Sequence, residues 1–410
     1  MDTENRRILL DGATATNLYR KGMPHGVCVE EWVLAHPEAI LEVQSAFAAA
    51  GSDIIYAPTF SVNRARMARY GHEKDIRDYC SRLVALTRQA AGKARVAGDM
   101  SPAGLILEPY GDSTFDELVD VYAEQAAALN DAGVDLFVIE TMLSLSETRA
   151  AVLACRKFGK PIFVTMTLGQ HGELFMGGSP AGALVTLQAL GITAFGLNCA
   201  FGPSQIAEAI RNLKPFAKIP LIAKPNAGEP NPLIPDHYDI SPVMMKEAMK
   251  EILDAGASIV GGCCGTTPEH IAELRSLLDS YEPSVSCPEK AGQENDLYLA
   301  NENELFSLDN ERLELSEPIS CQYDMADDLL DAEEENFDLL RIDVETPEEA
   351  EEFALNEHMA KLPVCFHSNQ EKALERALFL YQGRCMADSH SDIPEDMLKA
   401  IAARYGAVIY

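Results

Sequence analysis

The run AGVDLFVIET, residues 132–141, sets a glycine suited to a helix end directly before a strand-like stretch of β-branched and aromatic side chains. The same junction recurs in AGSDII (50–55), LGITAF (190–195) and AGASIV (255–260), so a βα period repeats along the chain. Working outward, eight apolar runs alternate with amphipathic stretches up to about residue 280. They are RILLDG (7–12), DIIYAPTF (53–60), AGLILEP (103–109), DLFVIET (135–141), PIFVTMT (161–167), AFGLNC (194–199), PLIAKPN (220–226) and SIVGGCC (258–264). Between them, segments such as HPEAILEVQSAFAAAG (36–51) carry apolar residues at helical spacing. Strand alternating with helix demands a parallel sheet, and eight units in this length match an α/β chain whose first domain, residues 1–282, is a (β/α)8 TIM barrel. An open doubly wound sheet is the alternative.

Beyond Tyr281 the composition changes. Residues 282–352 hold 24 acidic and three basic side chains, which predicts an acidic, solvated linker over 283–312. Five further strand-like runs, LSEPIS (315–320), DLLRIDV (338–344), LPVCFHS (362–368), RCMADS (384–389) and GAVIY (406–410), predict a smaller, partial βα module over 313–410. Its last apolar strand needs a covering partner. Either a homo-oligomer formed through this module or a longer chain would supply one.

The 410 residues balance 33 Lys+Arg against 64 Asp+Glu, a formal charge of -31, which repels phosphate backbones and anionic membranes. No nucleic-acid or membrane partner is expected. The N-terminus MDTENRR lacks the pattern of a secretory signal, so a cytoplasmic location is expected. In a reducing compartment, ten cysteines are more readily thiols, metal ligands or catalytic groups than disulfides.

Three cysteines fall at C-terminal strand ends, where βα loops build barrel active sites: Cys199 after the sixth run, Cys263 and Cys264 after the eighth. Adjacent strand residues point to opposite faces, so the vicinal pair can share a target only if the chain bends, which Gly261, Gly262 and Gly265 permit. Three thiolates converging this way suit a tetrahedral zinc ion with one open position. Three buried apolar thiols or a vicinal disulfide are the competing readings. Zinc held by three thiolates is a poor generator of hydroxide but takes a further thiol as thiolate, so the chemistry expected is alkyl transfer to sulfur.

GLNCAFGP (196–203), GGCCGTTPEHI (261–271) and LLDGATATNL (9–18) resemble the homocysteine S-methyltransferase family across about residues 6–280. The resemblance implies Cys199, Cys263 and Cys264 as catalytic zinc ligands, homocysteine as acceptor and methionine as product. It also implies Asp11 and Glu140 as holders of the amino-acid end, with Thr16 and Asn198 as further candidate substrate contacts. Ala15 before Thr16, APTF (57–60) and EPYGD (108–112) depart from the common family form.

The C-terminal runs resemble the first half of the pterin-binding barrel that follows this domain in cobalamin-dependent methionine synthase. Here Arg341, His367 and Asp388 stand where other polar anchors are usual. That grouping implies methylcobalamin as donor, delivered by a partner corrinoid protein. The alternatives are another thiol, S-methylmethionine or betaine as donor, or a non-catalytic zinc-loaded assembly subunit. His25, His36, His171 and His270 are expected at surfaces or helix caps.

Overall fold

Eight parallel strands pair side by side in a computed structural model that describes residues 7–229, 231, 237–282, 296–335 and 337–410. The strands are β1 Ile8–Leu9, β2 Ile54–Tyr56, β3 Arg95–Met100, β4 Leu136–Met142, β5 Ile162–Met166, β6 Ala194–Asn198, β7 Leu221–Lys224 and β8 Ala257–Val260. They form one parallel sheet in the order β1-β8-β7-β6-β5-β4-β3-β2. At the remaining seam the Asp53 amide donates to the Leu9 carbonyl at 2.7 Å, and two carboxylates bridge further. Asp53 Oδ2 accepts from Leu9 N at 2.9 Å, and Asp11 Oδ2 from Tyr56 N at 2.8 Å. The sheet is thereby a (β/α)8 barrel of the TIM type.

Strand alternation explains both the core and the site. One buried cluster draws on all eight strands, among them Leu10, Tyr56, Ala97, Val138, Phe163 and Ile222, which is possible only inside a barrel. Two or four residues further along their strands, the same alternation carries Asp99, Glu140, Asn198 and Lys224 into the interior at the C-terminal end. Apolar layers below give way to a polar layer above.

The third strand is not where the apolar pattern put it. AGLILEP (103–109) lies outside any strand, with Ile106 57% exposed, while β3 is RVAGDM, paired through Ile54↔Arg95 and Ala97↔Leu136. Gly98 and Asp99 interrupt the apolar run there and conceal it.

By their contacts the residues divide into two units: 1–105, 116–176 and 192–290 form one, and 106–115, 177–191 and 291–410 the other. The first holds the barrel. In the second, β11 Ile319–Ser320, β12 Leu340–Asp343, β13 Val364–His367, β14 Met386–Ala387 and β15 Val408–Ile409 form a five-stranded parallel sheet in chain order. All five predicted runs are thus strands.

Residues 283–295 of the expected linker lie outside the described residues. The remainder is ordered differently from a solvated linker: β9 Asp296–Ala300 and β10 Leu305–Asp309 form an antiparallel hairpin. Leu297 and Leu299 of β9 bury against Leu339, Cys365 and Met386, covering one face of the five-stranded sheet. Phe366, on the alternate face of β13, meets Phe353 and Tyr381 edge-on from the helical side. A few apolar positions therefore order an otherwise acidic stretch. Among the described residues, no helix is long and apolar enough to cross a membrane.

Candidate metal and amino-acid site

Cys199 follows β6 directly and takes a left-handed backbone, φ 59°. Its amide donates to the Lys224 carbonyl at 3.3 Å, and its own carbonyl accepts from Asn226 Nδ2 at 3.2 Å. Beyond β8 the chain bends at the predicted glycines. A side chain on Gly262 would collide with Thr266 at 2.5 Å, and Gly265 combines φ +81° with the Tyr238 ring against its back. The bent loop is pinned from several sides: the Cys263 amide donates to Pro225 O, Ala227 N to Cys264 O, and Thr266 Oγ1 to Cys263 O.

These bonds bring three sulfurs together. The Sγ atoms of Cys199, Cys263 and Cys264 all lie within 4.8 Å of one another, and Cys199 and Cys264 are 3.6 Å apart. All three are free thiols, and a disulfide would need about 2.05 Å, so the vicinal-disulfide reading falls away. A metal bonded at about 2.3 Å to tetrahedral sulfurs separates them by about 3.8 Å, and this trio fits that spacing. The thiols share protons unequally. Hydrogen bonds from Cys199 and Cys263 bring Cys264 down to about 3, while the Cys199 thiol, bonded to both neighbours, is pushed far above its ordinary range. Cys263 ends at about 12: the bond with Cys199 lowers it, but the bond with Cys264 and burial outweigh that.

Close to the sulfurs is a buried charge cluster. Lys224 Nζ lies 2.9 Å from Glu140 Oε2, 3.9 Å from Asp11 Oδ1 and 3.8 Å from the centre of the Tyr56 ring. Lys224 and Asp11 are each 2% exposed, Asp99 6% and Glu140 9%. Burial lifts Asp11 to about 7 against the opposing pull of Lys224, and lifts Glu140 in the same sense.

Asn198 ties the two parts of the site together. Its Oδ1 accepts from Thr141 N at 3.0 Å, its Nδ2 donates to Thr141 Oγ1 at 2.8 Å, and the same nitrogen lies 3.8 Å from Cys263 Sγ. Thr141, which follows Glu140, is β-branched yet sits at φ 58°, a conformation that costs about 1–3 kcal/mol and that both ends of the Asn198 amide hold in place. Thr16 Oγ1 accepts from the Gly265 amide at 3.3 Å, so it braces the cysteine loop from behind.

Sequence reasoning missed four neighbours. Asn17 Nδ2 donates to both Ala13 O and Thr266 O, clamping the first loop to the eighth; Lys224, Tyr56 and Asp99 complete the charge cluster. The usable signal was a lone charge at the end of an apolar strand run, as in PLIAKPN, because charged residues at that end of a barrel strand face the site. The histidines stay apart from the trio. His36 stacks on Trp32, His25 packs against Tyr19, His270 closes a capping box with Thr267, and the His171 amide donates to Glu173.

Comparison with known proteins places the barrel in a family. The family model for homocysteine S-methyltransferase matches residues 8–278. Methionine synthase of Mycobacterium tuberculosis is 32% identical over 324 residues, covering 70% of this chain but 26% of that protein, and the Mycobacterium leprae protein is 31% identical over 322 residues. The chain thus matches about a quarter of the length of these curated relatives. The metallated form of the Escherichia coli homocysteine methyltransferase MmuM superposes with a TM-score of 0.56 at 25% identity, covering 67% of this chain and 96% of that one. The chain belongs to the homocysteine S-methyltransferase family, a family of methyltransferase enzymes.

Proposed function

We propose that this protein transfers a methyl group to the thiol of homocysteine, giving methionine, with zinc held by Cys199, Cys263 and Cys264. The observation that carries the reading is the convergence of three free thiols at the mouth of a barrel whose adjoining layer is rich in buried carboxyl groups. Sulfur ligands in this number suit zinc, and a solved relative exists in a metallated form. Bound zinc would supply one chemical service, holding the incoming thiol as a thiolate at neutral pH.

The protein's own groups do the rest. The bent loops keep three ligands on one side of the site and leave the other side to the substrate sulfur. Asp11 and Glu140 present their carboxyl groups to the amino-acid end, and Lys224, paired directly with Glu140, opposes the upward push of burial on it. Thr16 and Asn198 fix the loops that carry these groups, so they serve the substrate by positioning. The substrate thiolate then attacks a methyl carbon in line, sulfur gaining the methyl group while the donor keeps the bonding electron pair.

The donor we propose is methylcobalamin carried by a partner corrinoid protein, since the curated relatives are methionine synthases. Reduced ligand thiols fit a cytoplasmic setting. Zinc content and a thermal shift with L-homocysteine test the core of the proposal. At a hundredfold excess over the dissociation constant, native-state binding adds about 2.7 kcal/mol of stability. Metal-free protein indifferent to homocysteine would defeat it, and turnover with betaine or S-methylmethionine without any corrinoid would reassign the donor.

A further inference from the structure

Three acids, Asp11, Asp99 and Glu140, share the polar layer of the barrel with the buried ammonium of Lys224. Lys224 is committed to Glu140 at 2.9 Å and approaches Asp11 Oδ1 no closer than 3.9 Å. Two acceptors are left over. Asp11 Oδ1 and Asp99 Oδ1 are both buried and have no hydrogen-bond partner among the described residues; the Tyr56 hydroxyl is in the same condition. Buried polar atoms without partners are costly, and a carboxylate is the costliest kind, so a set retained in one place points to a ligand that completes it. The ligand must bring hydrogen-bond donors to oxygen acceptors set close together, and an ammonium group, with three N–H donors and no acceptor, is the group that does so.

Asp99 belongs to the same chamber as the acids already assigned. It follows Ala97, whose side chain lies in the barrel core, by two residues on β3, and it pairs across to Val138 of β4, two residues before Glu140. Glu140, Lys224 and Asp11 all act on it electrostatically. We infer that Asp99, together with Asp11, receives the ammonium group of the amino-acid thiol, and so selects thiols that carry an amino group over those that lack one. This rests on the homocysteine reading above and adds to it a third carboxylate and a basis for specificity.

The test is a substitution crossed with a deletion on the ligand. Zinc-loaded full-length protein and its Asp99→Asn variant are titrated calorimetrically with L-homocysteine and with 4-sulfanylbutanoate, the same thiol without its amino group. The expected result is a loss of about 10- to 100-fold in homocysteine affinity, with the amino-free thiol changed by less than about twofold. Asparagine keeps the volume of the carboxyl group, so folding is expected to hold; Asp99→Ser is the second variant and must give the same split. Equal losses for both thiols, or no loss for homocysteine, would overturn the assignment while leaving the homocysteine reading intact. Wild-type protein that binds neither thiol would instead reject both.

Discussion

The strand ends of the barrel and those of the five-stranded sheet carry similar side chains in opposite conditions. In the barrel, Asp11 Oδ1, Asp99 Oδ1, the Tyr56 hydroxyl and Asn226 Oδ1 are buried without hydrogen-bond partners among the described residues. In the sheet, Arg341 bonds Asp343 at 2.8 Å, and Asp388 takes one bond from His367 and another from His390, each at 2.9 Å. The first set is incomplete and the second is closed on itself. An unpaired buried group costs about 1–3 kcal/mol, so the incomplete set marks where a ligand is wanted. The closed set leaves Arg341, His367 and Asp388 with partners supplied by the protein itself.

The largest effect should come from the sulfurs. Replacing Cys263 by serine removes one of the three proposed sulfur ligands, and the mutant is expected to lose zinc on dialysis against a chelator and methyl transfer with it. Metal analysis of the dialysed protein checks this directly. A Cys263→Ser protein that stays metal-replete and active would show that the trio is not the metal site, and the contrast between the two sets of strand ends would then need another cause.

Next is Lys224→Met. It leaves Glu140 without its partner in the barrel interior, and removing one partner of a buried ion pair typically costs about 3–5 kcal/mol. Urea unfolding at neutral pH measures it. A cost below about 1 kcal/mol would mean that Glu140 is neutral in the resting protein and that no ion pair is broken.

What could be read from the sequence follows the same division. The βα period, the barrel and the cysteine trio were legible because each is a pattern: a repeating helix-end glycine, an apolar run, and paired cysteines bracketed by glycines at a strand end. Asp99 was not legible, because Gly98 and Asp99 break the run that would have revealed β3, and the apolar AGLILEP next to it drew the strand eight residues downstream. Lys224 stood in plain view within PLIAKPN, yet one charge ending an apolar run reads equally well as a strand boundary. The hairpin Asp296–Asp309 was hidden by its acidic setting, since only its inward leucines report burial. Pairings between distant residues, such as Asn198 with Thr141, leave no local trace at all.

A pH experiment sharpens the comparison further. Burial raises the Asp11 carboxyl from 3.8 to about 7, so the folded state holds that proton more tightly than the unfolded chain does. Its contribution is therefore most favourable at low pH and is lost as pH rises from about 4 to about 7. Asp11→Asn should remove this dependence, flattening the stability profile by up to about 1.4 kcal/mol per pH unit in that window relative to wild type. Parallel profiles would show that Asp11 is already ionised in the free protein, with Lys224 outweighing burial.

The smallest effects belong to the closed set. Asp388 stays below the usual carboxylate range although burial alone would raise it, because the His390 amide and both imidazoles hold its charge. Removing one of them by His367→Ala leaves the others in place, and about 1–2 kcal/mol of stability is the expected loss. Arg341→Ala should cost less still, about 0–1 kcal/mol, because the Arg341 and Asp343 side chains remain 28% and 26% exposed and water replaces the lost partner. Neither change should alter thiol affinity, which calorimetry would show. A loss of homocysteine binding in either variant would mean that the second set of strand ends also serves the ligand, and that a polar network satisfied within the protein is no sign of its being idle.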